Sequence, residues 1–443
     1  VDGYNAFMLV ATLLVLMMTT PALALFYGGM TRSKSVLNMM MMSYSAMAIV
    51  GILWVLWGYS MVFSGDGIFF ASPLTNLGLK DVGYDGYTFM MFQLTFAVIT
   101  TALISGALAD RVKFSAWVVF VPLWATLVYF PLAHMVFGCT DSALICTTIG
   151  AQDYAGGTAV HINAGMAALV LAVVVGKRVG FGKTPMKPHN LTLTMLGAAM
   201  LWVGWYGFNV GSLIIDDSVG DISTQFLNET GLTFANTTLA TMAAILAWLL
   251  VERVMHGKAT SLGAASGIVA GLVAITPAVG AVDIFGALAI GAVSGAVCAW
   301  AVGWKFKLGL DDSLDVVGVH LVGGIIGTVM IGFFSVPGAE GSGVVGGLTE
   351  GLFYGGGFGS LIAQVLGVLV AIAWSGAFTL LIALAIKYTL GWRISEDDEV
   401  EGIDYAEHGE TAYDLISRGG SPRPGTSGPK TEDASARNEG AMA

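Results

Sequence analysis

DYAGGTAVHINAG at residues 153–165 and DVVGVHLVGG at residues 315–324 decide how this chain folds. Each sets an aspartate before a long apolar run, then glycine, then a single histidine. Runs of about 20 apolar residues cross a bilayer, and an ionisable group inside one is costly enough to need a reason. The same pattern twice, about 160 positions apart, predicts two related halves that each carry an imidazole into the membrane.

The rest of the chain fits that reading. Of 443 residues, 56% are hydrophobic and only 11% charged, against roughly a quarter charged in soluble domains. The 60 glycines suit helix backbones packed closely in lipid. Apolar runs predict an all-α polytopic membrane protein with eleven transmembrane helices. They lie near 4–27, 36–63, 87–109, 114–137, 155–176, 190–213, 234–254, 259–277, 283–304, 316–334 and 361–389. The loops after the odd-numbered spans hold Arg32, Lys34, Arg111, Lys113, Lys177, Arg178, Lys183, Lys187, Arg253, Lys258, Lys305 and Lys307, whereas the intervening loops hold only Lys80. Basic loops stay cytoplasmic, so the N-terminus is expected outside and the C-terminus inside. Five spans per group reverse the second group against the first, giving inverted five-helix repeats (about 1–180 and 190–360) plus one extra helix, 361–389. The pathway of such repeats commonly lies at their interface.

From residue 391 the composition changes. The last 53 residues carry 12 acidic and five basic side chains, −7 of the chain's −11. Residues 391–417 are expected to order against the cytoplasmic face or a partner. Residues 418–443, rich in Pro, Gly and Ser, are expected to be disordered. The chain opens at Val1 with no cleavable signal evident. Cys139 and Cys146 share an outward loop, where a disulfide is permitted but not required. No third ligand stands near enough to imply a metal, and no cofactor or nucleic-acid partner is expected.

None of the 19 Lys and Arg residues lies well inside a span, so His161 and His320 are the titratable side chains at depth. Asp153 and Asp315 stand where helices begin and read as N-caps; a second, electrostatic role for Asp153 at an outer site is compatible with capping. Phe92 and Phe96 share one face of the third span. Phe137 ends the fourth span at the outer side, and Trp205, Phe208 and Ser212 end the sixth near the same side. Such rings could hold a small cation through their π faces and the serine could accept a hydrogen bond from it; an interfacial aromatic belt or plain packing explains the rings equally.

Several runs together carry a resemblance: PALALFYGGM (21–30), DYAGGTAVHINAG (153–165), KPHN (187–190), GWYGFNVGS (204–212), ASGIVAGLVAITP (265–277) and DDSLDVVGVHLVGG (311–324). Over nearly all of residues 5–415 the chain resembles the ammonium transporter family (Amt/Mep/Rh), in its bacterial Amt branch. The resemblance implies a homotrimer with one pathway per subunit. It makes His161 and His320 the twin histidines of a narrow pore, and Phe96 and Phe208 the phenyl gate above them. Ser212 becomes the hydroxyl of an outer ammonium site that Asp153 supports. Phe137 falls where several members have tryptophan, which implies a smaller π face for outer recruitment. GIDYAEHGETAYDL (402–415) resembles a segment that couples subunits and answers to PII-type signal proteins.

The expected function is ammonium/ammonia transport across the cytoplasmic membrane for nitrogen uptake. The alternative is an ammonium sensor on the same scaffold, signalling through the tail. A metal enzyme would want a third ligand at depth and a potassium channel a carbonyl filter; the sequence offers neither, and no enzymatic activity is expected.

Overall fold

The computed structural model describes residues 2–214, 221–337 and 349–413; the expected disordered stretch 418–443 lies outside them. Eleven helical segments run along the described chain: α1 (Gly3–Met30), α2 (Val36–Phe63), α3 (Tyr84–Ala107), α4 (Phe114–Gly138), α5 (Gly157–Val175), α6 (Leu191–Val210), α7 (Ile222–His256), α8 (Ser261–Ile275), α9 (Ile284–Leu308), α10 (Val317–Phe334) and α11 (Gly359–Thr389). Ten are long and apolar enough to cross a membrane, and α8 falls short at 15 residues. The described residues form no strand beyond two isolated bridges. Helix starts are capped as their sequences suggest: Asn190, Asp221, Thr260 and Asp283 each accept a hydrogen bond from a backbone N–H three residues on.

The sequence reading of span 7 covered 234–254, but α7 has 35 residues. Its first turns, ISTQFLNETGLT, are too polar for a hydropathy argument to find, and the Asp221 cap starts them. At 1.5 Å per residue the helix is about 52 Å long, well beyond a ~30 Å hydrocarbon core. Next to it α8 stops early, which leaves peptide groups around 276–283 outside any helix. Asn236 of α7 answers part of that deficit, donating to the Val279 and Val282 carbonyls at 2.9 and 2.8 Å. Non-helical backbone at membrane depth is tolerated only with such partners.

The two halves show their kinship best at α5 and α10. Each begins with one wide, π-type turn holding the histidine, 157–162 and 317–321, followed by 13 regular residues, Asn163–Val175 and Val322–Phe334. They cross where Gly165 meets Leu321: a Cβ at Gly165 would stand 2.4 Å from the Leu321 backbone nitrogen. The crossing lies four residues after His161 and one after His320, so the glycine lets the two half-helices bring their imidazoles together.

Asp315 does not take the place expected of it. The cap of α10 is Asp312, whose carboxylate accepts from Val316 and Val317 N–H at 3.0 and 2.7 Å. Asp315 has a φ of 64° and pairs with Lys305 at 2.6 Å. Asp153 therefore matches Asp312, and each stands eight residues before its histidine. Burial, joined by the neighbouring Asp315 carboxylate, pushes the Asp312 carboxyl up to about 7.

Outside the spans, on the expected cytoplasmic side, buried ions tie the loops. Arg178 reaches Asp110 at 2.9 Å and Asp311 at 2.8 Å, and Arg32 reaches Asp110 at 3.1 Å. Burial alone would raise the Asp110 carboxyl; the Arg178 and Arg32 guanidiniums outweigh it and hold it below the ordinary value. Arg111 donates to five oxygens, among them Asp311 O and Ser313 Oγ, and burial pulls it down to about 10.

The described part of the tail folds onto the same side as α12 (Glu396–Glu401) and α13 (Ile403–His408). Its acids cap other elements. Asp404 accepts from Leu37 and Asn38 N–H at the start of α2, and Glu407 accepts from Phe114 N–H at the start of α4. Glu399 accepts from Val179 N–H and pairs with Arg393. Carboxylates at helix N-termini meet unpaired N–H groups and the positive end of the dipole.

Candidate functional site

The histidines meet. His161 Nδ1 and His320 Nδ1 lie 3.3 Å apart, both rings at most 4% exposed. Two nitrogens at that distance share one proton, so one ring donates and the other accepts. The His161 ring lies flat against Trp205, 5.5 Å between centroids at 25°, and against Phe208, 6.2 Å at 26°. Trp205 is itself fixed. Its Nε1 donates to Thr276 Oγ1 at 2.8 Å, and Thr276 also meets Asn209 Oδ1 at 3.3 Å and Leu272 O at 2.7 Å. Thr276 and Asn209 went unnoticed in the sequence, since neutral polar side chains carry no pattern of their own.

One fully buried atom of the pair has no hydrogen-bond partner. His161 Nε2 is buried and makes no hydrogen bond, although such atoms are usually satisfied. The ring faces a narrow apolar chamber whose wall includes Leu23, Phe26, Trp205, Phe208, Val269 and both histidines. A second chamber shares Phe26, Val269 and His320 with it and continues past Tyr27 and Ser266 to Asp315. The two small chambers thus lie in series, from Phe208, past the imidazoles, to the ion-paired start of α10. Among the described residues no carboxylate, lysine or arginine lines the first chamber.

Phe208 of the first chamber's wall belongs to a buried ring stack. Phe96 and Phe208 stack at 4.2 Å between centroids and 25° between planes, each 1% exposed. Phe92 meets the edge of Phe96 at 5.0 Å and stands behind it; Phe137 approaches Phe96 edge-on at 6.3 Å and is only partly buried. Ser212 Oγ donates to Phe208 O at 2.8 Å, which leaves its lone pairs available. Asp153 accepts from the N–H groups of Gly156, Gly157, Thr158 and Ala159, and from the Thr158 hydroxyl. It is thus the cap of α5, with its oxygens directed at backbone.

His134 at the end of α4 is buried, its ring nitrogens 2.7 and 2.8 Å from the Val62 and Gly67 carbonyls. It pins the chain that follows α2 and is not among the residues that line either chamber. Cys139 and Cys146 are joined by a disulfide in the adjacent loop, with Cα atoms 5.4 Å apart. Among the described residues, no three His, Cys, Asp or Glu side chains converge as a metal site would require.

The model of the Ammonium Transporter Family matches residues 6–413. An ammonium transporter of Mycobacterium tuberculosis is 53% identical over 451 residues, covering 95% of this chain and 92% of that one. One of Bacillus subtilis is 45% identical, covering 93% and 98%. Among solved structures, Saccharomyces cerevisiae Mep2 superposes with a TM-score of 0.79 at 33% identity, over 89% of this chain and 88% of that chain. A structure described as a sensor Amt protein gives 0.80 at 25% identity, over 91% and 98%. With eleven apolar helical segments, paired half-repeats and these relatives, the chain is a multi-pass membrane protein that belongs to the ammonium transporter family.

Proposed function

We propose that the protein carries ammonium across the cytoplasmic membrane by taking up the ion at its outer mouth, stripping one proton, and passing ammonia along the bore. The single observation that supports this most is His161 Nε2, a buried polar atom left open in an otherwise apolar chamber. Moving an intact cation into such a place forfeits tens of kcal/mol of solvation by idealised estimates. Potassium has no means of escaping that cost. Ammonium escapes it by deprotonation, and ammonia then needs only an occasional hydrogen-bond partner. The shared proton between the imidazoles keeps the pair's orientation fixed, so that the free nitrogen always faces the passing molecule.

In this reading Phe137 and Ser212 hold the ion outside the Phe96–Phe208 stack, which must part to admit it. Phe92 and Trp205 back the gate and the histidine. Asp153 supports the site through the start of α5. The chain assembles as a homotrimer with a pathway in each subunit. Its N-terminus is outside and its tail cytoplasmic, where a PII-type signal protein is the expected regulator. A sensor on the same scaffold is the second reading; the similar sensor Amt structure and the tail acids that cap α2 and α4 favour keeping it.

The test is transport by the purified protein in liposomes, given pulses of ammonium and methylammonium. A transporter gives a saturable response that falls in His161→Ala and in His320→Ala; a dedicated sensor gives little even with the intact chain. Unchanged flux in both variants would return the histidines to a packing role.

A further inference from the structure

A carboxylate lies beside the outer mouth that the passage described above does not use. Glu229, on the early turns of α7, is 2% exposed. Its Oε1 accepts from Tyr154 Oη at 2.6 Å and its Oε2 from Gln225 Nε2 at 3.3 Å. The same Gln225 amide donates to Ile214 O at 3.1 Å. Tyr154 is the neighbour of Asp153, and Ile214 lies two residues beyond Ser212. Tyr154 is held firmly: its backbone N–H donates to Pro277 O at 3.0 Å, and its ring leaves no space for a side chain at Gly280. Among the described residues no lysine, arginine or histidine pairs with Glu229.

The outer mouth draws on both half-repeats, with Asp153 from the first and Phe208 and Ser212 from the second. A carboxylate has two oxygens and can accept from both sides at once, which is what Glu229 does through Tyr154 and Gln225. A buried carboxyl without a counter-ion is expensive unless its hydrogen bonds hold it in place, and Glu229 is held from two sides.

We propose that Glu229 is a positioning residue of the outer ammonium site, clamping the Asp153 and Ser212 segments together so that the groups holding the cation keep their spacing. This rests on the reading of that mouth as the place where ammonium is collected. The clamp joins residues 154 and 214 through one side chain of α7, a helix start that hydropathy does not reveal.

The experiment is an ammonium concentration series on the full chain in liposomes, comparing native protein with Glu229→Gln, Glu229→Ala and Tyr154→Phe. Glu229→Gln keeps the shape and replaces one of the two accepting oxygens with an amide donor, which breaks one side of the clamp. It is expected to raise KM about three- to tenfold with the maximal rate within about twofold, as loss of one hydrogen bond that positions the site predicts. Tyr154→Phe should shift KM the same way by less, and Glu229→Ala by more if it folds. A purely structural residue would lower the maximal rate or the yield and leave KM alone. A native KM in Glu229→Gln, or a loss confined to maximal rate, overturns the proposal while leaving the transport reading intact. Absence of any saturable response from the native protein would instead overturn the transport reading.

Discussion

On the tail side, Arg111 donates to five oxygens and Arg178 binds two aspartates. In the bore, His161 has one nitrogen paired and the other open. Both regions are buried, yet they treat polarity in opposite ways. Where the protein needs rigidity it surrounds charge with partners from several loops. Where passage is proposed, no carboxylate, lysine or arginine among the described residues lines the chamber, and a buried imidazole nitrogen is left without a partner. On the proposed mechanism, a fully satisfied imidazole would be more stable and of less use to a passing molecule.

The contrast can be broken most severely from its rigid side. Asp110→Asn leaves Arg178 and Arg32 short of a buried carboxylate, and removing one partner of such a pair costs about 3–5 kcal/mol. Thermal unfolding in detergent should show that loss at neutral pH. Asp110 is held below the ordinary carboxylate value, so its contribution is present at neutral pH and fades as pH falls below about 4. The gap between native and variant should narrow accordingly.

His161→Ala acts on the other side of the contrast. Loss of one hydrogen-bonding partner for ammonia, at about 1–3 kcal/mol, predicts transport reduced roughly ten- to hundredfold. Unfolding should change less than in Asp110→Asn. Third, Asp312→Ala removes the cap of α10 and should lower stability by about 0.5–2 kcal/mol, whereas Asp315→Ala breaks a partly exposed pair with Lys305 and should lower it by about 0–1 kcal/mol. Equal losses in the two variants would contradict the assignment of the cap. Smallest, Phe137→Trp enlarges the π face at the outer mouth. A gain of about 0.5–1 kcal/mol in cation binding predicts a KM two- to fivefold lower.

How far the sequence alone could reach follows the range of the forces. Hydropathy found every span, because crossing a bilayer is a local demand of length and composition. It also marked His161 and His320, since ionisable groups at depth are rare. It chose Asp315 over Asp312 because both stand before the same apolar run; only backbone geometry, with Asp315 at a positive φ and turned to Lys305, separates them. The eight-residue interval shared by Asp153–His161 and Asp312–His320 was in the sequence and could have settled it. The polar opening of α7 was missed for want of apolar content. Asp404 and Glu407 cap helices roughly 290 to 370 residues away, a relation that no local pattern encodes. Glu229 escaped for both reasons.

The most direct test compares ammonium with potassium on the intact protein in liposomes over a supported membrane, at equal concentration and ionic strength. A bore that admits only a species able to shed its charge predicts a saturable ammonium response and none to potassium above that of protein-free liposomes. Comparable responses to the two ions would contradict it.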